Sequence, residues 1–239
     1  MPYKPWVWIP ECVVGMKRRD CLWILCLGVT QPTVAWAYIL PTRRLVGRIQ
    51  RAIRKTKLNE VKGMSRSWAS GRGAPQPVFE HWNLGVITRL RIRTKQGQTA
   101  SWSSDGHTAG DMRLLPPSGV GESMTRILGQ ADILGWMATH RVDGQAQRLA
   151  LLDDRVCIVI GAQTASVKKP QIWVDQSTFL PLRLIFKSVE GWVDMALMHW
   201  RGPITHSRFP HDVRVRLNGR RNRQLSVSEV NPFDLESAP

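Results

Sequence analysis

The chain has 239 residues, a formal net charge of +16 and a pI near 10.8, with eleven tryptophans against two tyrosines. That length accommodates one large β domain or two small ones with a sizeable core. Of its four cysteines, three (Cys12, Cys21, Cys26) fall in a leader, and the one that is left, Cys157, rules out an internal disulfide in the mature chain.

From Met16 the sequence runs MKRRDCLWILCLGVTQPTVAWA. Lys17, Arg18 and Arg19 form a basic n-region, residues 21–29 an apolar h-region, and Ala35-Trp36-Ala37 an A-x-A cleavage site. These are the three parts of a secretory signal peptide, in order. The apolar run falls short of the roughly 20 residues that a membrane-spanning helix needs. No lipobox precedes Cys21 or Cys26. The reading is therefore a leader over 1–37 (signal peptide 16–37, with 1–15 an upstream mis-start), export to the periplasm, and a single mature domain over 38–239. The leader holds four basic and two acidic side chains, so the mature chain keeps +14 of the +16.

After Pro41, residues 42–58 read as a helix. Leu45, Ile49, Ala52 and Ile53 share one face, while Arg43, Arg44, Arg48, Arg51, Arg54, Lys55 and Lys57 cover the rest. The stripe is expected to pack on a sheet, with the basic back solvated and attractive to anionic surfaces. Residues 60–70 and 78–82 read as strands. The clearest period-2 run is 85–94, with Val86, Leu90 and Ile92 on one face and Arg89, Arg91 and Arg93 on the other. That arginine row lacks the interleaved aromatics of a nucleic-acid platform, so no nucleic acid is expected and the row reads as a solvated outer face. Gln96-Gly97 turns the chain into a strand over 98–104 carrying Trp102. A long loop over 105–121 leads to a second helical stretch, 122–140, whose stripe is Met124, Ile127, Leu128, Ala131, Leu134 and Ala138. Gly129 and Gly135 leave one helix or two as alternatives. Inserted between strands, this stretch sits where a lid would.

Residues 149–186 form a meander of four strands, 149–152, 155–160, 171–174 and 182–186. Asp153-Asp154 supplies the first turn, Gly161 and a polar loop to Pro170 the next, and 175–177 the last. Cys157, between Val156 and Ile158, reads as a small strand residue. Further strands follow at 191–200, 212–217 and 224–230, with Asn218-Gly219 a hairpin turn and Asn231-Pro232 a closing turn. Nine to eleven strands and two helical elements make this a mainly-β (α+β) chain, expected as a curved antiparallel sheet or incomplete β-barrel with helical lid elements.

No catalytic constellation is present: there is no G-x-S-x-G elbow, no H-E-x-x-H and no Gly-rich phosphate loop. His206, His211 and Asp212 lie close together, but a Pro-containing loop separates them and nothing completes a tetrahedral set, so no metal is expected. Asp153, Asp154 and Asp175 sit at strand ends and serve turns. The chain is read as no enzyme and as needing no cofactor. What it offers instead is large apolar side chains on curved sheet. Leu182, Leu184 and Phe186 alternate with Arg183 and Lys187, and Val156, Ile158 and Ile160 share a face. A curled sheet with a covering helix encloses either a hydrophobic cavity or a filled core, and periodicity alone leaves both open.

The order of signal peptide, amphipathic helix, early strands, helical insertion and meander resembles the outer-membrane lipoprotein-sorting carriers (LolA/LolB-like). The resemblance is densest at Pro170-Gln171-Ile172-Trp173-Val174-Asp175 and Thr178-Phe179-Leu180-Pro181-Leu182-Arg183, and extends to Phe209-Pro210, Asn218-Gly219 and the strand over 225–230. It covers most of 38–235, and without a lipobox the chain is similar to the soluble LolA type. The resemblance implies an incomplete barrel with a helical lid over a cavity that shields lipoprotein acyl chains or another lipid, served by membrane-bound donor and acceptor proteins. On that reading the walls are Leu90, Ile92, Ile158, Ile160, Leu182, Leu184 and Phe186, with Ile127, Leu128 and Trp136 on the lid. The alternative is a periplasmic sensor or interaction domain on the same fold, docking an anionic partner through its basic face. A hydrolase with an unrecognised site is a third.

Overall fold

The turns decide the architecture. Asp153 and Asp154 both take left-handed backbone (φ 47° and 62°), as do Asn218 and Gly219 (φ 50° and 79°). Each pair is a tight two-residue connection of the kind that keeps strand twist continuous through a hairpin. The D-x-x-T-x-x-P stretch is a turn of a different kind. Asp175 Oδ1 accepts hydrogen bonds from the backbone N–H groups of Ser177 (2.8 Å) and Thr178 (2.9 Å), and Phe179 then takes φ 59°.

A computed structural model describes residues 40–55, 58–67, 76–84, 87–200 and 209–232, all within the compact unit Ile39–Pro239. Helix α1 (Thr42–Arg54) leads into β1 (Leu58–Ser67), β2 (Gln76–Asn83), β3 (Arg89–Thr94), β4 (Thr99–Ser103) and β5 (Thr108–Gly110). A 3₁₀ turn (Met112–Leu114) precedes α2 (Val120–Ser123), which runs on as a π-helical segment (Met124–Gly129), and then α3 (Ile133–Thr139). The remaining strands are β6 (Gln147–Leu152), β7 (Arg155–Ile160), β8 (Gln171–Asp175), β9 (Pro181–Lys187), β10 (Trp192–Met198), β11 (Asp212–Leu217) and β12 (Arg220–Pro232).

All twelve strands join one antiparallel, unclosed sheet in the order β5-β4-β3-β2-β1-β12-β11-β10-β9-β8-β7-β6. It consists of two meanders, β1–β5 and β6–β12, fused where β1 pairs with β12. Shifts of register between Lys62 and Gly63 and between Val215 and Arg216 bend the strands there and raise the local twist, as bulges do. β5 and β6 are the two edges, and residues 111–146, including α2 and α3, run from one edge to the other.

Alternation puts Val78 and Trp82, Leu90 and Ile92, Ile158 and Ile160, Ile172 and Val174, Leu182, Leu184 and Phe186, Val193, Met195 and Leu197, and Val213 and Val215 into a single buried cluster. Leu45, Val46, Ile49 and Ile53 of α1 join it. The opposite face has its own smaller packing. The Trp173 ring lies between the Arg148 and Arg183 guanidinium groups, 5.0 and 5.3 Å from its centroid. Arg183 also grips Asp194 with two hydrogen bonds of 2.7 and 2.8 Å. Cys157 is buried on this face, and burial together with the nearby Asp175 carboxylate pushes its thiol up to about 11.

Several expectations are corrected. The first helix ends at Arg54 rather than 58, because Leu58 already belongs to β1. The 105–121 stretch is not all loop: it holds β5, the 3₁₀ turn and the start of α2. The second helical stretch divides at Ala131, whose backbone is left-handed (φ 53°). That break shifts the phase, so Ile133, Trp136 and Met137 face inward while Leu134 and Ala138 are exposed. Asn231-Pro232 ends β12 instead of forming a turn. The readings of the leader over 1–37, Lys57, residues 68–70 of the second element, Val86 and His206 lie outside the described residues.

Candidate functional site

The helical crossing touches both halves of the sheet. At Gly119 an added Cβ would stand 2.8 Å from the Phe186 ring of β9, and at Gly121 it would stand 2.9 Å from the Trp102 ring of β4. Only glycine lets the chain approach both rings this closely. Trp136 of α3 then packs edge-on against Phe186 (centroids 6.0 Å apart, planes at 88°) and donates its indole N–H to Ser123 Oγ at 2.8 Å. The ten residues expected as walls and lid, Leu90, Ile92, Ile158, Ile160, Leu182, Leu184 and Phe186 from the sheet and Ile127, Leu128 and Trp136 from the crossing, all belong to the one buried cluster, whereas Val156, expected on the face of Ile158 and Ile160, is 43% exposed. Every one of the ten is buried.

The crossing is held at its entrance by few polar contacts. Ser118 donates its N–H (3.2 Å) and its hydroxyl to the Glu190 carboxylate in the β9–β10 turn. Arg223 of β12 donates from Nη2 to the Leu114 carbonyl. Arg223 is itself almost fully buried, and its Nη1 lies 3.0 Å from Glu80 Oε1 of β2. Glu80 also accepts from the Ser65 hydroxyl and, at 2.8 Å, from Trp82 Nε1. Burial pulls the Arg223 guanidinium below its usual value, against the pull of Glu80. This buried ion pair was missed in the sequence. Its signal is a charged residue in phase with apolar neighbours: Glu80 with Val78 and Trp82, Arg223 with Leu225 and Val227.

His140, at the end of α3, sits against Trp136 and Phe186 (ring centroids 4.8 and 4.6 Å), and its Nε2 is buried without a hydrogen-bond partner. Burial, with a smaller push from the Arg126 cation, lowers its pKa to about 4. The unfolded chain takes up this proton near the ordinary 6.5, whereas the folded chain resists it. Stability is therefore full above pH 6.5 and declines as the pH falls from 6.5 toward 4. The expected decline is about 1–2 kcal/mol once partial exposure is allowed for. Urea unfolding at a series of pH values checks this. His140→Gln should flatten that part of the profile, and an unchanged slope would refute the assignment.

A second feature lies on the other face of β1–β4. Lys62, Met64, Phe79, His81, Arg91 and Arg93 alternate with core residues, and together they line a groove of about 890 Å³. Met64 and Phe79 are 46% and 44% exposed there, beside the arginines. Arg89, Arg91 and Arg93 are all exposed, as the strand alternation predicts. Of the suspected His206, His211 and Asp212, the last two do come together, with His199 as the third member.

No protein-family model matches the sequence, and no curated protein matches it. The fold, by contrast, has solved counterparts. The crystal structure of a LolA superfamily protein from Nitrosomonas europaea is similar at a TM-score of 0.50 and 16% identity, covering 82% of this chain and 96% of that one. Looser similarities, each at a TM-score of 0.45, reach a DUF1329 family protein from Desulfovibrio piger (9% identity, 82% and 94% covered) and a domain assigned to outer-membrane lipoprotein sorting from Vibrio parahaemolyticus (8% identity, 81% and 94% covered). The architecture is thus LolA-like: a curved, open antiparallel sheet with short helices across its inner face.

Proposed function

We propose, from this LolA-like fold, that the chain is a periplasmic carrier that takes acyl chains, from a lipoprotein or another lipid, between the sheet and the helical crossing. One observation supports the reading above others. The crossing joins the two free edges of the sheet, and the surfaces that meet beneath it are apolar on both sides. Each methylene moved out of water contributes about 0.8 kcal/mol, so a long chain is held by apolar walls alone. Those walls are buried beneath the crossing, so uptake requires the crossing to lift. Donor and acceptor proteins at the two membranes would supply and remove the cargo, with no chemical step.

The test is binding of a fluorescent fatty acid to the purified chain, read together with a tether across the entrance. In a Ser118→Cys/Glu190→Cys variant joined by a cleavable bis-maleimide, uptake should slow at least tenfold and recover on cleavage. These positions are exposed, so the tether leaves the core untouched. Absence of saturable binding, or equal uptake with and without the tether, sinks the carrier reading.

The outer groove favours a second reading, docking of an anionic partner by Lys62, Arg91 and Arg93 beside Met64 and Phe79. The two are separated by salt. Charge-led docking weakens steeply as ionic strength rises, whereas burial of an acyl chain does not.

A further inference from the structure

Where β10 ends and β11 begins, three side chains converge on one point. His199 follows β10 and takes left-handed backbone (φ 57°), a conformation uncommon outside glycine that recurs at ligand sites. His211 directly precedes β11, and its N–H donates to the His199 carbonyl (3.3 Å), which fixes the two residues side by side. Asp212 opens β11 as a buried residue. Its Oδ2 lies 2.7 Å from His199 Nδ1 and 3.3 Å from His211 Nδ1. Its other oxygen, Oδ1, accepts from the Ser226 hydroxyl of β12 at 2.9 Å.

We infer that His199, His211 and Asp212 form a binding site for a divalent transition-metal ion, zinc being the best-matched class. Two imidazoles and a carboxylate are the donor set that suits zinc and its first-row neighbours. Bonds of about 2.0–2.2 Å to a tetrahedral ion place neighbouring ligand atoms about 3.3–3.6 Å apart. The three donor atoms lie within 4.8 Å of one another, so small side-chain rotations suffice to receive the ion. Ser226 does for the carboxylate what outer partners do at metal centres: it holds the non-ligating oxygen and so aims the ligating one.

Access is open. The His199 side chain is 56% exposed and lines a hollow of about 240 Å³ with Asp153, Leu182 and Met198. Three protein ligands leave a fourth position for water or a partner's side chain. The three ligands and Ser226 belong to the ends of β10 and β11 and to β12, so a bound ion would fasten three neighbouring strands at the end of the sheet opposite the Asn218-Gly219 turn.

The experiment is titration of the purified chain with zinc chloride by calorimetry, with magnesium chloride as the hard-ion control, and with cobalt(II) as a visible reporter of coordination. One equivalent of zinc should bind saturably and magnesium should not. Cobalt should give visible absorption bands of a low-coordinate site. His199→Ala and Asp212→Asn should each weaken zinc at least tenfold and remove the cobalt bands. Ser226→Ala should weaken zinc by about tenfold, the scale of a lost outer partner. His107→Ala, in the turn between β4 and β5, should change nothing. Because Asp212 is buried and its variant is open to misfolding, the exposed His199→Ala decides the matter alone. No saturable zinc binding, or binding that His199→Ala leaves within twofold, overturns the site.

Discussion

Glu80→Ala is expected to lower the unfolding free energy by about 3–5 kcal/mol, the scale seen when one partner of a buried ion pair is removed. The cause is not the loss of attraction so much as what is left behind. Arg223 is 4% exposed, and its nearest counter-charge is Glu80 at 3.0 Å. Without that carboxylate the guanidinium is a buried charge with, among the described residues, the Leu114 carbonyl alone to solvate it. The Ser65 hydroxyl and the Trp82 indole N–H also lose their acceptor, and an unsatisfied buried donor costs roughly 1–3 kcal/mol. A shift of this size removes a large part of a typical domain's margin. The double variant Glu80→Leu/Arg223→Met should cost much less than the two single changes together, since replacing both charges by apolar groups removes the desolvation penalty as well. Urea midpoints for the four proteins complete the cycle. A Glu80→Ala loss below about 1 kcal/mol would mean that the pair is not buried as described.

Trp136→Ala is the second large effect, again about 3–5 kcal/mol, the range for removing a buried tryptophan or phenylalanine. Trp136 is fully buried, so its removal empties space beneath the crossing that Phe186 and His140 line. Trp136→Phe keeps the edge-on contact with Phe186 but gives up the hydrogen bond to Ser123, and should cost roughly a third to a half as much. Thermal unfolding of the two variants checks the order. Equal losses would show that the indole N–H, not the ring, is what matters. Because α2 and α3 rest on the sheet through Trp136, Gly119 and Gly121, the alanine variant should also loosen the crossing first, visible as faster amide exchange in 120–139 than in the sheet.

The strands were legible because their physics is local. The alternation of Leu90 and Ile92 with Arg89, Arg91 and Arg93, or of Val213 and Val215 with Arg214 and Arg216, states which face is wet. Asp153-Asp154 and Asn218-Gly219 state where the chain must turn. The apolar interior was legible for the same reason, since residues in phase along each strand arrive on one side of the sheet. The phase of α3 was not legible: it depends on the left-handed Ala131, and alanine carries no sequence signal for that conformation. Nor was the Glu80–Arg223 pair, whose members lie far apart in sequence and on strands that become close neighbours only through the β1–β12 junction. The third member of the His211–Asp212 cluster, His199, was hidden likewise, because strand pairing rather than spacing brings it across from Asp212.

That junction has a further meaning for how the molecule assembles. The other ten strand pairings join sequence neighbours, and each closes a hairpin or a modest loop. β1 and β12 instead unite residues as much as 174 positions apart, Leu58 with Pro232. Closing a loop costs entropy that grows with its length and must be met before the contacts it creates are gained. The sheet is therefore two locally encoded halves and one non-local joint. Glu80 belongs to the first half and Arg223 to the second, so each half alone presents an unmatched charge of opposite sign on its apolar side. Joining neutralises both, and the correct alignment of the halves is the one in which those two charges meet.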